Sequence, residues 1–566
     1  MAPCYHTVLM RFRGLAEATA VLTAALALAC VLTYPYAVKF DRAGRVDTND
    51  GRWSLWVVSW VAHALTTDPL RVYRANIFYP HDDALAYSEA NLAAGVVGVP
   101  VWLLTHNPYA THNFVVLVSF ILSSAGAYYL CRYLTGSRPA AAVAGVLFAY
   151  CPFVFARTAH IQLMLIGGLP FIMLAFHRLV DRVTVGRAVA LGAILWFQGL
   201  ACAYYGIFGG LAVGAGSIVL AITGGRWREW RYWAGIAGAA VVSIALTVPF
   251  FIPYISLQRE TGFARSLDGA RTYSANMAAW LASGSWAHRW WLDAIPSRTE
   301  VLFPGILTLI LGIAGAWIGL RSRAPESRAP LDGVPGRIDR GITLSYVLIA
   351  VISFWITFGP KAGLYSLLYQ VVPVFTLLRA PARTGIVVTL CLVVLASFAI
   401  ARLLERKRHP WAIAAALMAL AVADLVQAPI GLRDAAPTAP AYEVLARQHK
   451  APVAVFPFWA RGVDFHGHAE YMLASTAHWQ PMINGYSDHI PQEFRDNAAI
   501  LRHFPDAGSF AVLERLGARY VVIHLQLYAG TTRDEITGKL AAYSNYLRPL
   551  SKDGDVWLFE IVSWPR

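Results

Sequence analysis

Apolar runs of roughly 17–25 residues, the length that crosses a bilayer as a helix, recur near 15–37, 112–131, 139–157, 161–178, 188–205, 206–222, 232–254, 303–320, 342–358, 384–401 and 411–428. The pattern predicts an α-helical polytopic membrane protein with about 11 transmembrane helices. Short connections carry Arg132 and Arg138, then Arg178, Arg182 and Arg187, then Arg226, Arg228 and Arg231, and later Arg402, Arg406, Lys407 and Arg408. These clusters fall on every second connection, and the bias of Lys and Arg toward the cytoplasm marks that side. Parity then gives a cytoplasmic N-terminus and puts 38–111, 255–302, 359–383 and everything after Leu432 on the other face. The apolar run 92–104 would invert all later topology if it crossed. It is short and contains Pro100, so it is expected to lie at, or dip into, the outer interface.

Beyond Leu432 the pattern changes. Pro452 to Phe458 and Arg519 to Tyr528 are β-branched and aromatic runs, whereas Asp506 to Ala518 and Thr532 to Leu547 have helical periodicity with polar faces. The chain is therefore expected to divide into a transmembrane domain, 1–432, and a small extracytoplasmic α/β domain, 433–566. The basic stretch 321–341, with Pro325, Pro330, Gly333, Pro335 and Gly336, reads as a flexible cytoplasmic linker.

Composition agrees with the spans: 57% of residues are hydrophobic and 14% charged, against about 25% charged in soluble proteins. The net charge of +14 has three sources to choose among: nucleic acid, anionic lipid or cytoplasmic loops. Placed on the topology, the cytoplasmic segments carry 19 basic and 7 acidic residues, so they hold +12 of the +14. After Pro429 there are 13 Lys and Arg against 14 Asp and Glu, so no basic patch for nucleic acid is expected. The 6 cysteines lie in or beside apolar stretches without disulfide or metal-site spacing. The first apolar run exceeds a signal-peptide core of about 7–15 residues and reads as an uncleaved span.

Candidate chemistry concentrates in the outer segments. Asp41, Asp47 and Asp50 follow the first span, before an aromatic helix with Trp53, Trp56 and Trp60 at the interface, where a lipid substrate would meet an aqueous acceptor. An aspartate there can deprotonate an acceptor hydroxyl, although a lone loop carboxylate is more often simply solvated. In Asn76-Ile77-Phe78-Tyr79-Pro80-His81-Asp82-Asp83 the adjacent acids could help hold a divalent ion, with Glu89 nearby, although helix capping by Asp83 and Ser88 explains them as well. Arg157, His160 and Gln162 share a tight turn suited to phosphate or sugar hydroxyls. Arg379 and Arg383, four residues apart on the face where arginine is rare, point to an anionic ligand such as a lipid phosphate, with snorkelling as the alternative; Lys361 lies in the same segment. The tail adds His466-Gly467-His468, His478 and Asn484-Gly485-Tyr486-Ser487, without zinc-site spacing but with side chains suited to carbohydrate.

Taken in order, Asp50 with Trp56 and Trp60, the Asn-Ile-Phe-Tyr-Pro run with Ser88-Glu89, the Ala159-His160-Ile161-Gln162 turn, Arg379-Ala-Pro-Ala-Arg383 and Asn484-Gly-Tyr-Ser487 resemble the GT-C superfamily, polytopic glycosyltransferases that use polyprenyl-phosphate-linked sugars. The likeness is to bacterial members with a soluble C-terminal domain. It implies a catalytic aspartate at Asp50, with Asp47 as the competing assignment, and donor phosphate held by Arg379, Arg383, His160 and Lys361. Glu89, Gln162 and Tyr486 would contact substrate. Many members carry an Asp-x-Asp or Glu-x-Asp metal motif; Asp82, Asp83 and Glu89 give no clean version, which leaves a divalent metal open.

The expected function is transfer of a sugar from a polyprenyl-phosphate donor to a glycan, lipid or protein acceptor on the outer face of a bacterial inner membrane, with inversion. A transporter or flippase for a lipid-linked or anionic solute is the alternative. Transporters usually place ionisable groups at the bilayer midplane, whereas these spans are nearly free of acids.

Overall fold

The computed structural model describes residues 2–262, 265–295, 298–322, 338–528 and 531–565; most of the predicted 321–341 linker lies outside the described residues. The chain separates into two compact units, one of Met1–Val38, Val115–Ile252 and Gln258–Ile430, the other of Lys39–Phe114, Pro253–Leu257 and Gly431–Arg566.

Among the described residues seven helices are long and apolar enough to cross a membrane: Gly14–Leu32, Pro108–Thr135, Arg138–Phe155, Ala203–Thr223, Trp230–Thr261, Arg340–Thr357 and Pro381–Leu404. The chain is an integral membrane protein. Val185–Ala201, Ile306–Arg321 and Pro410–Leu425 are shorter apolar helices at expected spans. The expected 161–178 helix is instead broken: a single turn, Ile161–Met164, precedes Gly168–Asp181. Pro170 explains the restart, because proline fits the first turn of a helix but not its interior.

The first unit is built around the helix Gly385–Leu404, nearly all of whose side chains are buried. Small residues let its neighbours close in without a hydrophobic drive from water. A Cβ at Gly315 would stand 1.7 Å from the Leu395 carbonyl oxygen, and one at Gly319 would stand 2.1 Å from Oγ1 of Thr343, so Ile306–Arg321 meets two helices through glycine.

The second unit contains a two-residue ladder, β1 (Ala43–Gly44) with β2 (Arg433–Asp434), and a four-stranded sheet. The sheet runs β3 (Val453–Phe456), β4 (Tyr520–His524), β6 (Val556–Ile561), β5 (Leu547–Ser551); β3 and β4 are parallel and the other pairs antiparallel. β3 and β4 fall inside the two predicted runs. β5 and β6 were not expected: β5 buries only its end residues, Leu547 and Ser551, around exposed Arg548 and Pro549, and the predicted helix 532–547 ends at Ala542. Val453, Val455, Val522 and Leu558 pack with Tyr442, Tyr471 and Met482 into one core.

In the same unit, Asn49–Thr67 packs against Leu92–Thr105, the 14-residue helix that contains Pro100. A Cβ at Gly95 would fall 2.2 Å from Cγ1 of Val61, so contact at this distance requires glycine.

Candidate functional site

In the first unit the turn bearing Arg379 and Arg383 is fixed at three points. The Tyr365 hydroxyl donates to the Leu378 carbonyl at 2.7 Å, the Arg379 N–H donates to the Tyr204 hydroxyl at 2.8 Å, and the Ala382 N–H donates to the Tyr273 carbonyl at 3.3 Å. Each guanidinium then lies on a tyrosine face: Arg379 is 5.1 Å from the ring centre of Tyr273, and Arg383 is 4.4 Å from that of Tyr204. A cation over a tyrosine face is attracted by the ring's quadrupole, which helps hold each guanidinium in place. Both arginines are half-buried, a setting that strengthens their field over that of a solvated pair.

Other predicted residues reach the same region through short links. Arg157 pairs with Glu300, with side chains 15% and 12% exposed, and the Thr299 hydroxyl donates to the Ser274 carbonyl at 2.9 Å, next to Tyr273. Gly359 approaches so closely that a Cβ would meet Oγ of Ser274 at 1.9 Å, and its φ of +63° is the left-handed conformation glycine tolerates. The His160–Gln162 turn is held by Tyr205, whose hydroxyl donates to Leu163 at 3.2 Å, and by Gln198, which donates to Leu165 at 2.9 Å. Gln162 is buried, and its Oε1 accepts no hydrogen bond from the described residues. Lys361 stands exposed on the turn Gly359–Ala362.

The second unit holds the other candidates. Thr48 caps the helix Asn49–Thr67, its hydroxyl accepting from the Gly51 N–H at 3.1 Å, and Asp50 sits exposed in the first turn, where helix N–H groups suit an anionic side chain. Gly51 is obligatory, since a Cβ there would lie 1.7 Å from the Arg45 carbonyl oxygen. Asp47 is gripped by Arg45 at 3.0 and 3.3 Å. Trp53, Trp56 and Trp60 are buried, and the last two indoles donate to Asn76 at 3.2 Å and Val72 at 2.9 Å. They therefore pack inside this unit instead of forming the expected interfacial surface.

Two motifs some 400 residues apart come together here. The Tyr79 N–H donates to Met482 at 2.8 Å, Met482 to Asn76 at 2.9 Å, and Phe78 to Asn484 at 3.1 Å. Beside them the Tyr254 hydroxyl straps the Glu89 turn, accepting from the Ala90 N–H at 2.8 Å and donating to Ser88 at 2.9 Å, while the Ser88 hydroxyl reaches Asp488 at 3.4 Å. Half-buried Tyr486 lies edge-on to His466. Asp82 is ion-paired with Arg74 at 2.5 Å, and Asp83 adopts a left-handed backbone. Among the described residues no three His, Cys, Asp or Glu side chains group as metal ligands, so this donor set does not fit a divalent ion.

A family model described as a domain of unknown function (DUF6311) matches residues 22–428. The chain belongs to that family. No curated protein matches this family member. Among solved structures, it is similar to the arabinofuranosyltransferase AftD from Mycobacteria at 15% identity and a TM-score of 0.55, over 96% of this chain and 41% of AftD. The Archaeoglobus fulgidus oligosaccharyltransferase gives 13% identity and 0.46 over 94% and 72%, and ArnT from Cupriavidus metallidurans 16% and 0.41 over 97% and 100%. With the AftD match, the DUF6311 chain has the GT-C fold. Fold does not by itself assign chemistry.

Tyr204, Tyr273 and Glu300 were not anticipated. Tyr204 had a signal, a tyrosine pair interrupting an apolar run after Cys202; Tyr273 and Glu300 had none beyond lying in the segment 255–302.

Proposed function

We propose that this protein is a membrane glycosyltransferase that moves a sugar from a polyprenyl-phosphate donor to a glycan, lipid or protein acceptor. The reading puts the reaction on the non-cytoplasmic face of a bacterial inner membrane, with about 11 spans and residues 433–566 as an α/β domain on that face. The observation that carries it is the Arg379 and Arg383 pair, two cations seated on tyrosine faces in a chain with the GT-C fold.

The chemistry follows from charge. The donor is a phosphodiester with one negative charge, and cleavage of its bond to the anomeric carbon leaves a polyprenyl phosphate with a second. Fixed cations therefore stabilise the transition state more than the bound donor. The acceptor hydroxyl forms the new bond to the anomeric carbon as the phosphate leaves, its proton passes to the Asp50 carboxylate, and the anomeric centre inverts. Asp47, held by Arg45, is the competing base. His160 and Lys361 add to the phosphate site, the open Oε1 of Gln162 accepts from a sugar hydroxyl, and Glu89 and Tyr486 contact the substrate.

Asp50→Asn is expected to lower transfer by about 10²–10⁴-fold, the usual worth of a general base, with the protein still folded in membranes. Full activity would refute Asp50 as the base. Mass spectrometry of lipids copurifying with the full chain is expected to find a polyprenyl-phosphate sugar; a polar solute in its place would point to transport.

A further inference from the structure

The first unit holds a cavity of about 520 Å³ away from the Arg379 turn, within the size range of small-molecule sites. Its walls are apolar, with Phe171 and Leu174 from Gly168–Asp181, Ile194 from Val185–Ala201, and Tyr129 from Pro108–Thr135. Its mouth is basic, with Arg178 on the last turn of one helix and Arg187 on the first turn of the next.

The sequence builds this mouth by joining the two helices through residues 182–184, which brings both arginines to one end of a hairpin. Arg187 is held there by donating through Nη1 to the Arg178 carbonyl at 2.5 Å and the Arg182 carbonyl at 3.3 Å, and Arg178 lies over the ring of Tyr133 at 5.7 Å. Asp181, the single acid of the hairpin, accepts from the Tyr133 hydroxyl, and among the described residues no carboxylate pairs with Arg178 or Arg187. At the far end of the hairpin, Gln198 meets Leu165. A 14-residue helix is on the order of 20 Å long, so the mouth and the His160 turn stand at opposite ends.

We propose that this cavity binds one anionic phospholipid, with its phosphate on Arg178 and Arg187 and its acyl chains against Phe171, Leu174 and Ile194. Charge complementarity selects the headgroup, because guanidinium groups at a helix hairpin end recognise phosphate oxygens. The apolar wall selects a lipid over free phosphate, and it continues into the exposed side chains of Val185, Val189 and Phe197 on the same helix, where hydrocarbon would run on.

Native mass spectrometry of the full chain in detergent tests this with three probes: phosphatidylglycerol, phosphatidylcholine and glycerol phosphate. One retained phosphatidylglycerol is expected, bound at least about fivefold more tightly than phosphatidylcholine, with no glycerol phosphate adduct. Arg178→Gln should reduce that preference. Gly186→Phe is the second variant: Gly186 lines the cavity and a Cβ there meets nothing within 4 Å, so the ring should occlude the site without disturbing the fold. Equal binding of the two phospholipids, phosphatidylglycerol binding that Gly186→Phe leaves unchanged, or tighter capture of a polyprenyl phosphate than of phosphatidylglycerol would overturn the assignment.

Discussion

Two polar runs that look alike in one dimension, 378–383 in the first unit and 466–489 in the second, have opposite fates. The arginines of the first lie half-buried on tyrosine faces, on a turn fixed by backbone hydrogen bonds. His468 and Asn484 of the second are absorbed into the core, while His466, His478 and His489 are half-buried. Asn484 is fully buried, accepts from the Val455 N–H at 2.7 Å, donates to the Val455 carbonyl at 2.8 Å, and meets Nδ1 of His468 at 3.2 Å. Nε2 of His468 in turn bonds the Trp459 carbonyl at 2.9 Å, which fixes a neutral ring whose pKa burial pushes down to about 4. Burial likewise lowers His478 to about 3 and His524 to about 4, and His63 falls to about 4 through burial and then the nearby Lys450 and His106. In the second run the hydrogen-bonding capacity of Asn484 and His468 is consumed by the scaffold.

The comparison breaks most sharply with pH. The folded pKa values of His468, His478 and His524 lie below the unfolded value of about 6.5, so the unfolded chain binds more protons below that pH. Their stabilisation is complete above about pH 6.5 and is lost as pH falls toward 4, by up to ~1.4 kcal/mol per pH unit for each histidine. Hydrogen exchange in β3 and β4 at pH 7 and pH 5 should report a drop on the order of several kcal/mol; unchanged protection would mean the rings are charged or hydrated.

Asn484→Ala should cost about 3 kcal/mol or more, because both backbone groups of Val455 lose their partner inside the core. A thermal melt within 1 °C of the unaltered protein would remove Asn484 from the scaffold. Arg383→Gln should have the reverse signature, with donor affinity falling about tenfold to a hundredfold and the melt barely moving. Arg383→Lys should recover only part of the loss, since an ammonium keeps the charge but loses the guanidinium's fork of donors. Tyr204→Phe is the mildest change. It keeps the ring beneath Arg383 and removes the acceptor for the Arg379 N–H, for about 1 kcal/mol of stability and a few-fold in donor affinity. Tyr204→Leu should weaken the donor further, and equality of the two variants would show that the stack contributes nothing.

Much of this molecule was legible one segment at a time. Length and hydropathy found the helical positions, alternating arginines suggested a sidedness, and β-branched runs marked β3 and β4. The break at Leu165 was harder, because an apolar run gives the same hydropathy whether it is helical or bent. β5 was hidden by Pro549 and by polar residues suited equally to a helix. In the candidate site the arginines stood out by charge, whereas Tyr273 and Glu300 did not, since a tyrosine or glutamate in a long loop is common.

Local pattern fixes what depends on near neighbours: hydrophobic period, caps and the charge of each connection. By itself the sequence therefore determined a multi-helix membrane protein, a β-containing tail and a short list of cations and carboxylates. Only tertiary structure decided that Asn76–Tyr79 pairs with 482–484, that Tyr204 lies under Arg383, and that Asn484 serves β3 instead of a ligand. Those partners are separated by tens to hundreds of residues, and packing brought them together through contacts that no period or local composition encodes.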